Sequence, residues 1–285
     1  MPRIYTEYAD AASFLVAAGA TLEREECANS VMLGVSLRLV DEPEAYGSRP
    51  YLATVESEGT LCAAAVMTPP YRLQIWTSGE PEPASLAMLM DALLKGMWAV
   101  PGVLAREATA EAFAAAWRTR TGAFWSIGQR MRVYELRRVV HPAYPAGQAR
   151  LAGADDIELV REWAWGFHDD CFDDGQHERS MRSAEEKTRQ GQLFLWVEDV
   201  PRSMAARLRP TPHGEAVSFV YTPPPQRGRG YASAVVAQVS QRILDEGKQF
   251  CTLYADLANP TSNAIYQRLG YRPVADVVQV DFSAG

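Results

Sequence analysis

The sequence predicts an α/β protein built from two similar halves. Apolar residues recur with helical and strand periods in the order helix, helix, hairpin, strand, helix, strand, helix, strand, and that order occurs twice. A local echo marks corresponding places: Ala112-Phe-Ala-Ala-Ala-Trp117 precedes Gly122, and Ser262-Asn-Ala-Ile-Tyr266 precedes Gly270. Between the halves, the proline-bearing stretch Val139 to Gly147 reads as a linker. A chain of 285 residues is long enough for two domains of usual size. The expected division is a first domain over 1–140, a linker over 141–150 and a second domain over 151–285.

The elements follow in order. Residues 5–40 read as two helices parted near Gly19 to Thr21, with Thr21 a candidate N-cap and Glu23 and Glu25 complementing the dipole. Pro50 to Glu58 and Thr60 to Met67 form a hairpin about Gly59, and Tyr71 to Trp76 is a third strand. An amphipathic helix over Ala84 to Met97 leads to a short strand at Val103. A helix through Ala110 to Arg118 and a strand over Met131 to Val140 complete the half. In the second half Ala154 to Phe172 and Ser180 to Gln190 are helices, and Gln192 to Val200 with Ser203 to Arg209 is a hairpin. Phe250 to Ala255 is a strand, Pro260 to Leu269 a helix and Ala275 to Phe282 a last strand.

One stretch carries chemistry. Val217 to Tyr221 is a β-branched and aromatic strand that Thr222-Pro-Pro-Pro225 ends, because proline cannot donate to a ladder. Arg227-Gly-Arg-Gly-Tyr-Ala232 then opens a helix marked by Val235, Val236, Val239 and Ile243 and running to about Glu246. A strand, a Gly-rich turn and a helix N-terminus together make an anion site, since the first amides lack internal partners and the dipole favours negative charge. The residues read as a pyrophosphate-binding loop.

Arg227-x-x-Gly230-x-Ala232 after a strand resembles the (Gln/Arg)-x-x-Gly-x-(Gly/Ala) signature of the GNAT superfamily of acetyl-CoA-dependent N-acetyltransferases. A second block, Leu253 to Tyr271, is similar to that family's strand, Asn259, Tyr266-bearing helix and Gly270-Tyr271 ending, in the family's order. The resemblance implies two tandem GNAT-like domains, each a mixed and mostly antiparallel sheet flanked by helices. It implies acetyl-CoA in a V-shaped opening between the strand ending at Thr222 and the strand from Phe250. Main-chain groups of Val220, Tyr221 and Thr222 would meet the pantetheine arm. The loop Arg227, Gly228, Arg229, Gly230, Tyr231, Ala232 and Ser233 would hold the pyrophosphate, with Asn259 beside the arm.

Acetyl transfer to an amine needs an unprotonated amine. An alkyl amine near pKa 10.4 is about three units too protonated at neutral pH, a deficit of roughly 4–5 kcal/mol. A general base must recover part of that. Glu215 and Asp256 are the candidates, each with an exposed structural carboxylate as the alternative. Tyr266 matches the family tyrosine that protonates the departing sulfur; a tyrosine packing its helix onto the sheet is the alternative. Asn259 before Pro260 is also an N-cap with proline at the first helical position. Trp163, Trp165, Phe167, His168, Asp169, Asp170, Asp173 and Asp174 form an aromatic and acidic cluster that suits a cationic acceptor, or a packed helix with a solvated acidic end.

The first half lacks the loop. Ser78-Gly-Glu-Pro-Glu-Pro83 puts Glu80 and Glu82 where a pyrophosphate would sit, and its prolines remove amide donors. A degenerate domain without cofactor is expected.

Composition excludes other classes. A net charge of −7 with no long basic run argues against a nucleic-acid surface. Cys27, Cys62, Cys171 and Cys251 are scattered without CxxC spacing and read as free thiols of a reducing compartment, and His141, His168, His177 and His213 add no zinc pattern. The apolar run Ala11 to Ala20 follows Glu7 and Asp10 rather than basic residues, against a signal peptide. The expectation is a cytoplasmic monomer or homodimer with a small-molecule amine acceptor and no metal, nucleic acid or membrane partner. A Rossmann site fails at Ser233 and a Walker loop lacks its Gly-Lys-(Ser/Thr). A non-catalytic acyl-CoA sensor or scaffold is the alternative from a different class.

Overall fold

The structure, a computed structural model, describes residues 2–172 and 175–285. In chain order its elements are β1 (Arg3–Glu7), α1 (Ala11–Leu22), α2 (Ser30–Asp41), β2 (Tyr51–Ser57), β3 (Thr60–Met67) and β4 (Leu73–Thr77). There follow α3 (Pro83–Lys95), β5 (Gly102–Ala105), α4 (Glu107–Thr121), β6 (Phe124–Leu136) and β7 (Gln148–Leu151). Next come α5 (Ile157–Cys171), α6 (His177–Arg189), β8 (Leu193–Val197), β9 (Pro201–Leu208) and β10 (Gly214–Tyr221). The chain closes with α7 (Tyr231–Asp245), β11 (Phe250–Asp256), α8 (Pro260–Arg268) and β12 (Arg272–Ser283). The residues group into two compact units: those up to Val133 together with Val274–Gly285, and Tyr134–Pro273.

In the first unit the sheet runs β1-β2-β3-β4-β5-β12-β6. From β1 through to β12 the pairs are antiparallel except β4 with β5, which are parallel at Leu73↔Val103 and Gln74↔Leu104. Phe14, Leu22 and Leu33 of the first two helices pack on one face, against Leu52 and Val66. Met90 and Phe113, from α3 and α4, pack on the other against Tyr51 and Leu73. Two sequence expectations change here. Arg3–Glu7 is a strand, made by pairing with β2 from Arg3↔Ser57 to Glu7↔Ala53 rather than by burial, so its exposed side chains leave a weak period. The break between the helices falls after Leu22, so Thr21 lies inside α1 and the N-cap of α2 is Asn29, without a side-chain cap bond. α1 itself is capped by Asp10, whose carboxylate accepts from the Ser13 amide at 2.8 Å.

The last strand was expected in the second domain. It instead pairs antiparallel with β5, Val278↔Ala105 and Val280↔Val103, and Val278 and Val280 are buried in the first unit's core. Each buried valine contributes roughly 1.5–3 kcal/mol, which fixes the strand there.

The second unit has the order β11-β10-β9-β8-β7, antiparallel except β10 with β11. β7 lies partly within the expected linker, as a short, mostly exposed strand beside β8. Val235, Val236, Val239 and Ile243 of α7 are buried on one face, while Trp163, Ala164 and Ala184 of α5 and α6 are buried on the other. Among the described residues no helix is long and apolar enough to cross a membrane.

Candidate active site

The parallel ladder between β10 and β11 runs from Gly214↔Phe250 to Ala216↔Thr252 and stops there, although both strands continue. The register of β10 against β9 shifts between Ser218 and Tyr221, and Phe219 has φ of 51°. A bulge at this place bends β10 away from β11 and opens the sheet. Phe219 keeps its uncommon backbone because its side chain is buried, with the ring 5.0 Å from that of Phe167. The Tyr221 carbonyl accepts from Ser203 Oγ at 2.9 Å on the β9 side. Strand alternation therefore turns the N–H and C=O of Val220 toward the open β11 side.

The loop follows. After a 3₁₀ turn over Pro224–Gln226, Gly228 and Gly230 take φ of 77° and 85°. Gly230 is the N-cap of α7 and brings no side chain to it. The amide of Ala234 bonds back to the Gly230 carbonyl at 3.0 Å, so those of Tyr231, Ala232 and Ser233 precede the helical ladder and are open to an anion. A Cβ on Gly230 would meet only the Pro145 ring, at 3.9 Å. The glycine is needed for its left-handed backbone, not for space inside the protein.

The side chains of the loop have different fates. Tyr231 is buried and donates to Glu198 at 2.9 Å. Arg229 is exposed and has no ion pair among the described residues. Arg227 is turned away: its Nε donates to the Thr222 carbonyl at 2.9 Å and its Nη2 pairs with Asp170. The guanidinium expected on a phosphate is thus engaged within the protein.

At the far side of the opening, Asn259 Oδ1 caps α8 by accepting from the Ser262 amide at 3.0 Å, with Pro260 in the first turn. Asn263, which sequence reasoning missed, donates to the carbonyls of Asp256 and Asn259, each at 2.7 Å, and accepts from the Tyr134 hydroxyl at 2.7 Å. Its signal was only its spacing, one helical turn beyond the cap. Tyr266 is buried between Tyr134 and Tyr271, centroids 6.3 and 5.9 Å away. Its hydroxyl has no hydrogen-bond partner among the described residues. Burial holds the Tyr266 phenol above its ordinary range, and Cys171 adds to the shift.

The two candidate bases separate. Glu215 lies in the paired part of β10, 4% exposed, and holds Arg207 through both oxygens at 2.9 and 2.6 Å. A carboxylate so occupied cannot accept an amine proton without breaking a buried ion pair, which speaks against Glu215 as the base. Asp256 stands where β11 ends in the opening; one oxygen accepts from the Ala258 amide at 2.8 Å, which leaves the other available. Cys171, at the end of α5, shares this locality: burial and then Asp170 and Asp256 push its thiol up to about 12.

The cluster on α5 divides between faces. Trp163 is buried beside Tyr221, while Trp165 is exposed and stacks on His177 at 4.2 Å. His168 is buried with Nδ1 on Ser180 at 2.8 Å, Asp169 meets His177 at 3.2 Å and Asp170 meets Arg227. Asp173 and Asp174 lie outside the described residues. No single aromatic and acidic wall forms among the described ones.

In the first unit the residues of the matching stretch bond within the protein. Glu82 at the start of α3 pairs with Arg3 and accepts from Ser85 Oγ at 2.9 Å. Thr77 and Thr109 hydroxyls, 2.9 Å apart, tie the end of β4 to α4. Trp117 is buried in a stack with Phe113 and Phe282.

Residues 196–279, spanning the bulged strand, the loop and both helices of the site, match the model of the FR47-like protein family. The whole chain is similar to solved GNAT structures. A GCN5-related N-acetyltransferase from Sphaerobacter thermophilus aligns with TM-score 0.61 at 16% identity, over 98% of this chain and 95% of that one. The fold is that of the GNAT acetyltransferases. A GNAT-family acetyltransferase from Colwellia psychrerythraea aligns with TM-score 0.57 at 11% identity, covering 99% and 100%. A tandem GNAT protein from the clavulanic acid biosynthesis pathway aligns with TM-score 0.56 at 14% identity, covering 99% and 98%, so the two-fold repetition of the GNAT fold is shared. Comparison with the curated proteins finds no match.

Proposed function

We propose that the protein is an acetyl-CoA-dependent N-acetyltransferase whose acceptor is a small-molecule amine, with chemistry confined to the second unit. One observation carries this reading: the bulged, splayed end of β10 leads into a helix N-terminus whose first amides are uncapped by any side chain. An anionic cofactor fits that cradle, which is open outward at Gly228 and Gly230. Val220 would meet the pantetheine arm, and Gly228 to Ser233 the pyrophosphate. Acetyl-CoA supplies an acyl group activated as a thioester.

The chain's own residues do the rest. Tyr266, kept protonated by burial, holds a proton for a departing sulfur. Asp256, half-buried with one oxygen unengaged, takes the proton from the attacking amine directly or through water. Asn259 and Asn263 fix the angle at which α8 leaves β11, and so place Tyr266. The reading supposes direct attack in a ternary complex and a cytoplasmic setting.

Thiol release from acetyl-CoA in the presence of a broad amine panel tests this. Thiol release with at least one small amine of the panel is the expected result. Acetyl-CoA binding without release across the panel would favour a non-catalytic sensor, and no binding would sink the reading.

A further inference from the structure

We propose that Arg227 is a positioning residue: it straps the C-terminal turn of α5 to the cofactor loop, so that the loop sets the place of the wall against which the acceptor binds. This rests on the acetyltransferase reading of the same site. Four contacts converge. Arg227 Nε donates to the Thr222 carbonyl at 2.9 Å, which anchors the guanidinium at the end of β10. Its Nη2 pairs with Asp170, and its Cζ lies 5.8 Å from the centre of the Tyr221 ring. The Tyr221 hydroxyl in turn fills the space where a Cβ on Gly166 would stand, 2.3 Å away.

Gly166 and Asp170 are four residues apart on α5 and therefore share a face. That face meets Tyr221 through the glycine and Arg227 through the carboxylate. The next residue is Cys171, whose thiol feels both Asp256 and Arg227. The strap thus ends beside the candidate base. A guanidinium that already holds a carbonyl and a carboxylate offers less of its charge to a phosphate, which would then rest mainly on the open amides of Tyr231 to Ser233 and on Arg229.

The test uses Arg227→Gln, Asp170→Asn and the double variant, with three readouts. In the unliganded protein, amide hydrogen exchange over 166–171 is expected to accelerate alike in all three, because removing either end removes the strap. By calorimetry the acetyl-CoA Kd should stay within about threefold of wild type, while the KM of the best amine from the panel rises about tenfold or more in each variant. Unchanged exchange at 166–171 in both single variants overturns the strap. So does an acetyl-CoA Kd weakened about tenfold or more by Arg227→Gln and untouched by Asp170→Asn, the pattern of a phosphate ligand. If wild type neither binds nor turns over acetyl-CoA, the functional reading fails, and the exchange measurement still decides whether the strap exists.

Discussion

The Asn263 side-chain amide and the main-chain carbonyl of Asp256 are joined by a 2.7 Å hydrogen bond that locks the start of α8 to the end of β11. The same amide group reaches Asn259, and the oxygen receives the Tyr134 hydroxyl. One side chain therefore satisfies three partners at the turn that delivers Tyr266. Asn263→Ala would leave those groups with poorer partners. A loss of roughly 1–3 kcal/mol in urea unfolding is expected, together with reduced turnover. An unchanged midpoint would remove Asn263 from this role.

Cofactor affinity should depend on the backbone of the loop more than on its charges. Charge-assisted bonds from amides are worth about 1.5–3 kcal/mol each, whereas an exposed arginine contributes about 0–1. Gly230 sits at φ of 85°, where a β-branched residue is strained. Gly230→Val is expected to abolish acetyl-CoA binding in calorimetry, and Arg229→Ala to weaken it about fivefold or less. Equal affinities in the two variants would contradict the assignment of the cradle.

Tyr266 offers a clean separation of chemistry from stability. Its hydroxyl makes no hydrogen bond among the described residues, so Tyr266→Phe should leave the thermal midpoint and the acetyl-CoA Kd nearly unchanged. If the hydroxyl delivers a proton, kcat should fall about 100-fold. Retention of wild-type kcat would return Tyr266 to a packing role beside Tyr134 and Tyr271.

Glu215 and Asp256 should behave in opposite ways. Glu215→Gln breaks a buried pair with Arg207, at a cost below the roughly 3–5 kcal/mol of an uncompensated buried charge because Arg207 keeps Glu246, while kcat is kept. Asp256→Asn should cost little stability and lower kcat about 100-fold, since an amide cannot accept the proton of the amine. Wild-type kcat in Asp256→Asn would exclude it as the base.

Cys171 gives a pH test of the locality. With its thiol near 12 in the folded protein, the thiolate is about one part in ten thousand at pH 8, against roughly a quarter for a free thiol. The reactive form grows with pH, so alkylation by iodoacetamide should accelerate about tenfold per pH unit between 8 and 10 in the native state. Mass-spectrometric rates at Cys171 that match an unfolded control at pH 8 would show that the thiol is not buried beside the carboxylates.

The repeated element order along the two halves, and the loop within residues 217–271, were legible because their signals are local. A β-branched run, a proline stop, two glycines and an apolar helical stripe each act within a few residues of themselves. Asn259 as a cap was legible for the same reason. Acidic residues in the first unit's slot were visible, but that Glu82 would be held there by Arg3, 79 positions away, was not.

What the sequence by itself determined was the type of most elements, the Gly-rich turn that opens α7 and the order of the motifs, all set by short-range periodicity and backbone chemistry. Tertiary structure alone decided that β12 joins the first unit, since pairing with β5 rewards Val278 and Val280 with a core that no local pattern specifies. It also decided which carboxylate is free: Glu215 and Asp256 look alike in sequence, and only the fold gives one a guanidinium partner and leaves the other at the open end of β11. Arg227 follows the same rule. Its place in the motif fixes where its backbone goes, and Asp170, 57 residues earlier, fixes where its charge goes.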